Sequence, residues 1–127
     1  MATVHREPNQ VKWIGVRPGH NGEEVLINVL NAATAVLYTV PADKILLLYD
    51  WYLSLAYVGA ASCQVNLRND AAAIIGNIAN FDTCAGNNTA HIAQNLTIPI
   101  ELLEDYDIRI VTGVTVGGYI HGILIDV

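Results

Sequence analysis

The chain has 127 residues, 53% of them hydrophobic and only 14% charged, with a formal net charge of −6. That length suits one domain able to bury about two-thirds of the surface its unfolded chain would expose. The acidic balance excludes general nucleic-acid binding, which needs a basic face against phosphates; Asp50 interrupts the longest apolar run before it reaches the roughly 18 residues of a membrane helix.

Charge is unevenly placed along the chain. Residues 1–22 carry Arg6, Lys12 and Arg17 against Glu7, whereas residues 23–127 carry three basic and eleven acidic side chains. The first 22 residues have no periodicity and contain Pro8, Pro18 and a Gly19-His20-Asn21-Gly22 turn cluster, so they read as an extended arm. Within it Val11–Val16 can form a short strand with Trp13 as an aromatic anchor. Arg6, Lys12, Trp13 and Arg17 are the expected partner-docking residues, on the reading that a basic tail seats on an acidic partner. The arm lacks the apolar segment of a secretory signal, which predicts a soluble protein made in a cytoplasm.

Residues 23–127 read as the folded body. Strands are expected at Glu24–Leu30, Ala35–Val40 and Ile45–Val58, the last two separated by a Pro41-Ala42-Asp43-Lys44 turn. Strict alternation along the long strand puts Ile45, Leu47, Tyr49, Trp51, Leu53, Leu55 and Tyr57 on one face, the expected core. Leu46, Leu48, Asp50, Tyr52, Ser54, Ala56 and Val58 then form a second, largely apolar face. A two-faced strand in a chain so poor in charge needs cover outside its own core. Leu46, Leu48 and Tyr52 are therefore the expected contact residues of a homo-oligomer. The strand is also longer than the usual five or six residues, which predicts a bulge or bend within it.

Gly59–Ser62 turns into a strand at Cys63–Arg68, and Asn69-Asp70 turns into Ala71–Ala79. The Ala-rich start of that segment could instead nucleate a helical turn capped by Asp70. Asn80–Ala90 is the longest loop, followed by His91–Leu103, broken at Pro99 as edge strands tolerate. Glu104-Asp105 turns into Tyr106–Thr112, Gly113–Gly118 turns again, and Tyr119–Val127 closes the chain. Tyr119, His121, Ile123 and Ile125 share one face of this last strand. About eight strands with frequent turns, and no convincing helix, predict an all-β sandwich or barrel.

No catalytic or metal-binding pattern is present. Ser54 and Ser62 lie outside any nucleophile elbow, and His5, His20, His91 and His121 are too scattered for a two-imidazole metal motif. Asp82, Cys84 and His91 follow one another along a loop, the nearest approach to a ligand set. The acids Glu23-Glu24, Glu101, Glu104, Asp105 and Asp107 sit at predicted strand ends and turns, where water solvates them. Tyr52 stands alone on its face, so no aromatic platform for sugar is expected. Cys63 and Cys84 have no CxxC spacing and read as reduced thiols. The expectation is a protein without catalytic residues, metal or cofactor.

From about Ala35 to Val127 the sequence resembles the small jelly-roll modules of tailed-bacteriophage virion proteins, found as capsid decoration (cement) proteins and in head and tail fibres. The resemblance rests on Leu37–Lys44 leading into the long strand, Leu96-Thr97-Ile98-Pro99-Ile100, Tyr106-Asp107-Ile108-Arg109-Ile110 and Gly118-Tyr119-Ile120-His121-Gly122. Such modules usually carry glycine where Asp43 stands, and another in the turn that here reads Glu104-Asp105. The resemblance implies an antiparallel β-sandwich of jelly-roll type, commonly trimeric, with no active site. One jelly roll behind a short arm then looks like a decoration protein bound to the capsid lattice of the virion. The alternative is a glycan- or receptor-binding jelly roll, presenting Tyr52 or the Asn80–Ala90 loop; a small cupin-like enzyme is a third class that the histidine spacing opposes.

Overall fold

A computed structural model describes residues 22–56, 60–83 and 89–127. Eight strands follow in order: β1 (Glu23–Asn31), β2 (Ala35–Thr39), β3 (Lys44–Ala56), β4 (Ala61–Arg68), β5 (Ile74–Thr83), β6 (Thr89–Leu102), β7 (Asp107–Thr112) and β8 (Val116–Asp126). They form two antiparallel four-stranded sheets, ordered β1-β8-β3-β6 and β2-β7-β4-β5. Among consecutive strands only β4 and β5 pair with each other; every other connection crosses from one sheet to the opposite one. This is the jelly-roll connectivity, and the described residues contain no helix.

The core lies between the sheets and is filled by alternate residues. In β7, Ile108 and Ile110 are fully buried while Asp107, Arg109 and Val111 are only partly so, the period of two expected of a strand with one wet face. Val65 and Leu67 of β4, Ile27 and Val29 of β1, and Ile120 and Leu124 of β8 complete the same layer. Each such side chain contributes about 1.5–3 kcal/mol when taken out of water.

In β3 the alternation changes phase. The register shifts between Leu48 and Asp50 against both neighbours: Leu48 faces Gly122 and Asp50 faces His121, leaving Tyr49 as one extra residue relative to β8. Before this bulge Leu46 and Leu48 fill the core; after it Trp51, Leu53 and Leu55 do. Leu46 and Leu48, expected at an oligomer contact, are thus fully buried between the sheets. Ile45 and Leu47, expected in the core, lie on the opposite face instead. A bulge adds one residue to a strand and reverses which parity points inward, so one alternation pattern cannot hold across it. The predicted irregularity is present, and it is the reason the predicted faces fail upstream of it.

Further boundaries differ from the sequence expectation: β5 runs on to Thr83 and β6 begins at Thr89, so both ends of the expected Asn80–Ala90 loop are strand. Asn69 accepts hydrogen bonds at Oδ1 from the Ala71 and Ala73 amides, each at 3.0 Å, and Ala72 has φ 61°. That side-chain-stabilised turn replaces both the early strand start and the alternative helical turn, and β5 begins at Ile74. Gly117 and Gly118 lie inside β8 rather than in the turn before it. Gly118 has φ 142°, and a Cβ there would lie 1.9 Å from the Tyr52 carbonyl oxygen. The glycine permits close backbone approach of β8 to β3.

Two aspartates at turns have a left-handed backbone. Asp43 has φ 59° and Asp105 φ 64°, in the left-handed region that aspartate tolerates better than most residues. The two turns are joined: the Asp43 amide donates to Glu104 Oε2 at 2.7 Å, and the Asp105 amide donates to the Val40 carbonyl at 3.0 Å. On the other sheet Arg68 grips Asp107 with two parallel hydrogen bonds of 2.8 and 2.7 Å, fastening β4 to β7.

Replacing Gly118 with Ala is expected to destabilise the fold by at least about 3 kcal/mol, because the clash is with backbone and cannot be relieved by a rotamer. Urea unfolding of the variant beside the parent, or its failure to accumulate as soluble protein, checks this.

Candidate functional site

The outer face of the β1-β8-β3-β6 sheet concentrates the unusual side chains. The strand register fixes two rows across it: Leu26, His121, Asp50 and Asn95, then Asn28, Tyr119, Tyr52 and Ala93. The bulge in β3 makes this arrangement, since it turns Asp50 and Tyr52 outward beside the outward residues of β8.

The polar centre is an imidazole between two carboxylates. His121 Nδ1 lies 2.9 Å from Asp50 Oδ2, a hydrogen bond, and Nε2 lies 3.3 Å from Glu24 Oε1. The second contact is not a hydrogen bond, so Nε2 is buried without one. Trp51 Nε1 is likewise buried with no hydrogen-bond partner among the described residues.

Beside this centre is an aromatic group. Tyr52 stacks on His91 with ring centroids 6.2 Å apart and planes 30° from parallel. Tyr119 lies directly across from Tyr52 on β8, and both rings are about 38% exposed. A shallow hollow of about 440 Å³ adjoins them, lined by Asp50, Trp51, Ala93, Gln94, Asn95 and Tyr119. On the outer strand β1, Leu26 and Leu30 stand in water at 56% and 79% exposure.

At the opposite end of the same face Ile45, Leu47, Ile123 and Ile125 form a separate apolar cluster, with Tyr49 packed against it. Lys44 and Asp126 form an ion pair at its margin. The hydrogen bond from Lys44 holds the Asp126 carboxyl below its ordinary value and raises the Lys44 ammonium above its own.

The predicted site residues divide as follows. Tyr52 lies on the outer face as expected, whereas Leu46 and Leu48 belong to the core. Arg6, Lys12, Trp13 and Arg17 lie outside the described residues, as does Cys84. Cys63 is a free, buried thiol whose pKa burial pushes up to about 11, so it is a core side chain rather than a nucleophile. Among the described residues no group of three or more His, Cys, Asp or Glu side chains is placed to hold a metal ion. Sequence reasoning missed the company Tyr52 keeps. The outward face of the last strand was readable and includes Tyr119; His91 joins only through pairing of Ser54 with His91 across β3 and β6.

The Asp126–Lys44 pair carries a pH signature. A carboxylate whose folded pKa is depressed stabilises the fold above its ordinary pKa, near 3.8, and that contribution disappears as pH falls through the lowered value. Unfolding midpoints measured from pH 6 down to about pH 2 should fall, and Lys44→Met should flatten that acid limb.

No protein-family model matches the chain, and no curated protein matches it. Among solved structures it is similar to a subunit of the disulfide-linked pili of Bacillus endospore appendages, at 12% identity and a TM-score of 0.45, over 84% of this chain and 87% of that one. It is also similar to a structure of infectious bursal disease virus, Gt strain, at 11% identity and a TM-score of 0.34. That likeness covers 98% of this chain and 37% of the viral one. Neither likeness is strong enough to bear on function.

Proposed function

We propose that the chain is a non-catalytic structural protein that works as a homo-oligomer, a trimer, and binds an assembled lattice made by another protein as a capsid decoration protein of a tailed phage. The observation that supports this reading is the outer face of the β1-β8-β3-β6 sheet. Leu26, Leu30, Tyr52 and Tyr119 are exposed together there, on ordered strands of a sandwich whose own core is already full. Scattered exposed leucines are ordinary, but a set sharing one flat face is the kind of surface that subunit contacts cover. The contact is re-based from Leu46 and Leu48 to these four side chains, Tyr52 being common to both. The resemblance of Ala35–Val127 to virion jelly rolls supplies the trimer, the lattice and the phage. Binding only to the assembled form would stabilise that lattice by mass action.

Sedimentation at micromolar concentration tests the oligomer, and a monomer there overturns it. Leu30→Glu and Tyr52→Glu should each weaken association by about 2 kcal/mol or more, the usual cost at a central interface position, while leaving the unfolding midpoint nearly unchanged. Cryo-electron microscopy of a particle carrying the protein would place it on a shell, on a fibre or on neither.

The hollow favours a second reading, a glycan-binding module. Tyr119 lines the hollow as an aromatic side chain, and Asp50, Gln94 and Asn95 line it with planar polar groups on neighbouring strands. Reproducible binding to one sugar class on a glycan array, competed by that sugar and lost in Tyr119→Ala, would favour this reading over the decoration role.

A further inference from the structure

Two open sheets leave four edge strands: β1 and β6 in one sheet, β2 and β5 in the other. An edge strand has every second backbone N–H and C=O turned away from its only neighbour. Proteins usually blunt such an edge with bulges, proline, lysine or shortness. Three of the four edges are blunted in this way. β2 has five residues and a register shift between Val36 and Tyr38. The register between β5 and β4 shifts twice. β6 makes a four-residue excursion, Leu96 to Pro99, that ends in proline.

β1 has none of these features. Its nine residues pair with β8 in unbroken register, from Glu23 opposite Leu124 to Asn31 opposite Val116. The strand contains no proline, glycine, lysine or arginine. Leu26 and Leu30 stand exposed on it, and among the described residues no strand flanks its free side. A long, regular edge with apolar side chains is a template for another strand.

The strand also complements itself. Laid antiparallel about a two-fold axis at Ile27, it overlaps a second copy over all nine residues. In the row that faces the core, Ile27 then meets Ile27 and Val25 meets Val29; in the outward row Leu26 meets Asn28 and Glu24 meets Leu30. Glu23 meets Asn31 at the ends. Every residue opposes one that points to the same side of the sheet, as continuous pairing requires. No carboxylate opposes another, and the two acidic ends lie about 20 Å or more apart at the usual rise per residue. Parallel pairing in register would set the same carboxylates side by side.

We propose that β1 pairs edge to edge with β1 of a second copy, forming one eight-stranded sheet in the order β6-β3-β8-β1-β1-β8-β3-β6. The interface is two-fold and isologous. Backbone hydrogen bonds carry it, whereas side chains of the outer face make the contact proposed above. The two are separate interfaces, and either forms without the other.

The test uses the unmodified chain. Sedimentation across a dilution series locates the association, and amide exchange is read by NMR on either side of that range. Edge pairing predicts that alternate β1 amides, those directed away from β8, exchange several-fold more slowly in the associated protein and lose this protection on dilution. A monomer at every concentration overturns the proposal. Association that leaves those amides unprotected also overturns it, while the outer-face contact stands. Protection that persists in the sedimenting monomer does the same, because the cover then belongs to a single chain. The register has its own check. Leu30→Lys, facing the partner's Glu24, should associate several-fold more tightly than Leu30→Glu, and equal association by the two variants would refute the pairing.

Discussion

The β-bulge between Leu48 and Asp50 is the constraint from which the rest of this molecule follows. One extra residue in β3 relative to β8 reverses the inward parity of a strand that is paired on both sides. Upstream of it the core receives Leu46 and Leu48; downstream it receives Trp51, Leu53 and Leu55. The outward remainder is therefore apolar at one end, with Ile45 and Leu47, and polar or aromatic at the other, with Asp50 and Tyr52. A regular strand of the same composition would have sent Asp50 to one face and Tyr49 to the other, and His121 would have lost its carboxylate partner. β6 absorbs the same disturbance differently: four residues, Leu96 to Pro99, lie between its paired positions where β3 has Tyr49 alone, and Pro99 falls within this excursion on the edge strand where a missing amide is tolerated.

β8 accommodates β3 by giving up side chains. Gly122 lies opposite Leu48, at the bulge, and a Cβ there would meet the Leu47 carbonyl at 2.8 Å and Leu46 Cδ1 at 2.9 Å. Gly118 makes the corresponding concession to the Tyr52 carbonyl. The glycines let the central pair of strands come together while Leu46 fills the space a side chain at 122 would have taken. Close packing of this kind leaves a core little freedom to repack when one residue changes. The turns at Asp43 and Asp105 are joined at one end of the sandwich through Glu104 and Val40.

The exposed aromatic and apolar side chains of the β1-β8-β3-β6 sheet are concentrated on the face this distortion creates. The inner surfaces of both sheets are consumed by the core, and the ion pair of Arg68 with Asp107 in the other sheet is a structural fastening between neighbouring strands. On the outer face of the β1-β8-β3-β6 sheet are exposed leucines and tyrosines, one imidazole held between carboxylates, and an apolar cluster at the end where β1 begins. Such a face is equipped to make contacts. The buried Cys63 thiol shows no sign of the depressed pKa that a nucleophile requires.

Much of this fold was legible in the order of residues. Period-two patterns located the strands, Asn69-Asp70 and Glu104-Asp105 marked turns, and the length of Ile45–Val58 announced an irregularity. The outward set on the last strand, Tyr119, His121, Ile123 and Ile125, was read correctly because β8 keeps one parity along that stretch. Local sequence could not say where in β3 the phase would change, because every residue from Ile45 to Tyr49 is apolar and suits either face. Only pairing with β8 and β6 decides that Leu46 and Leu48 are core. The same holds for Gly118, which resembles a turn glycine until β3 is laid beside it, and for Tyr52, whose neighbours His91 and Tyr119 come from strands distant in sequence. Alternation is a property of one strand and can be read alone. Register is a relation between strands, and it exists only once the sheets have formed.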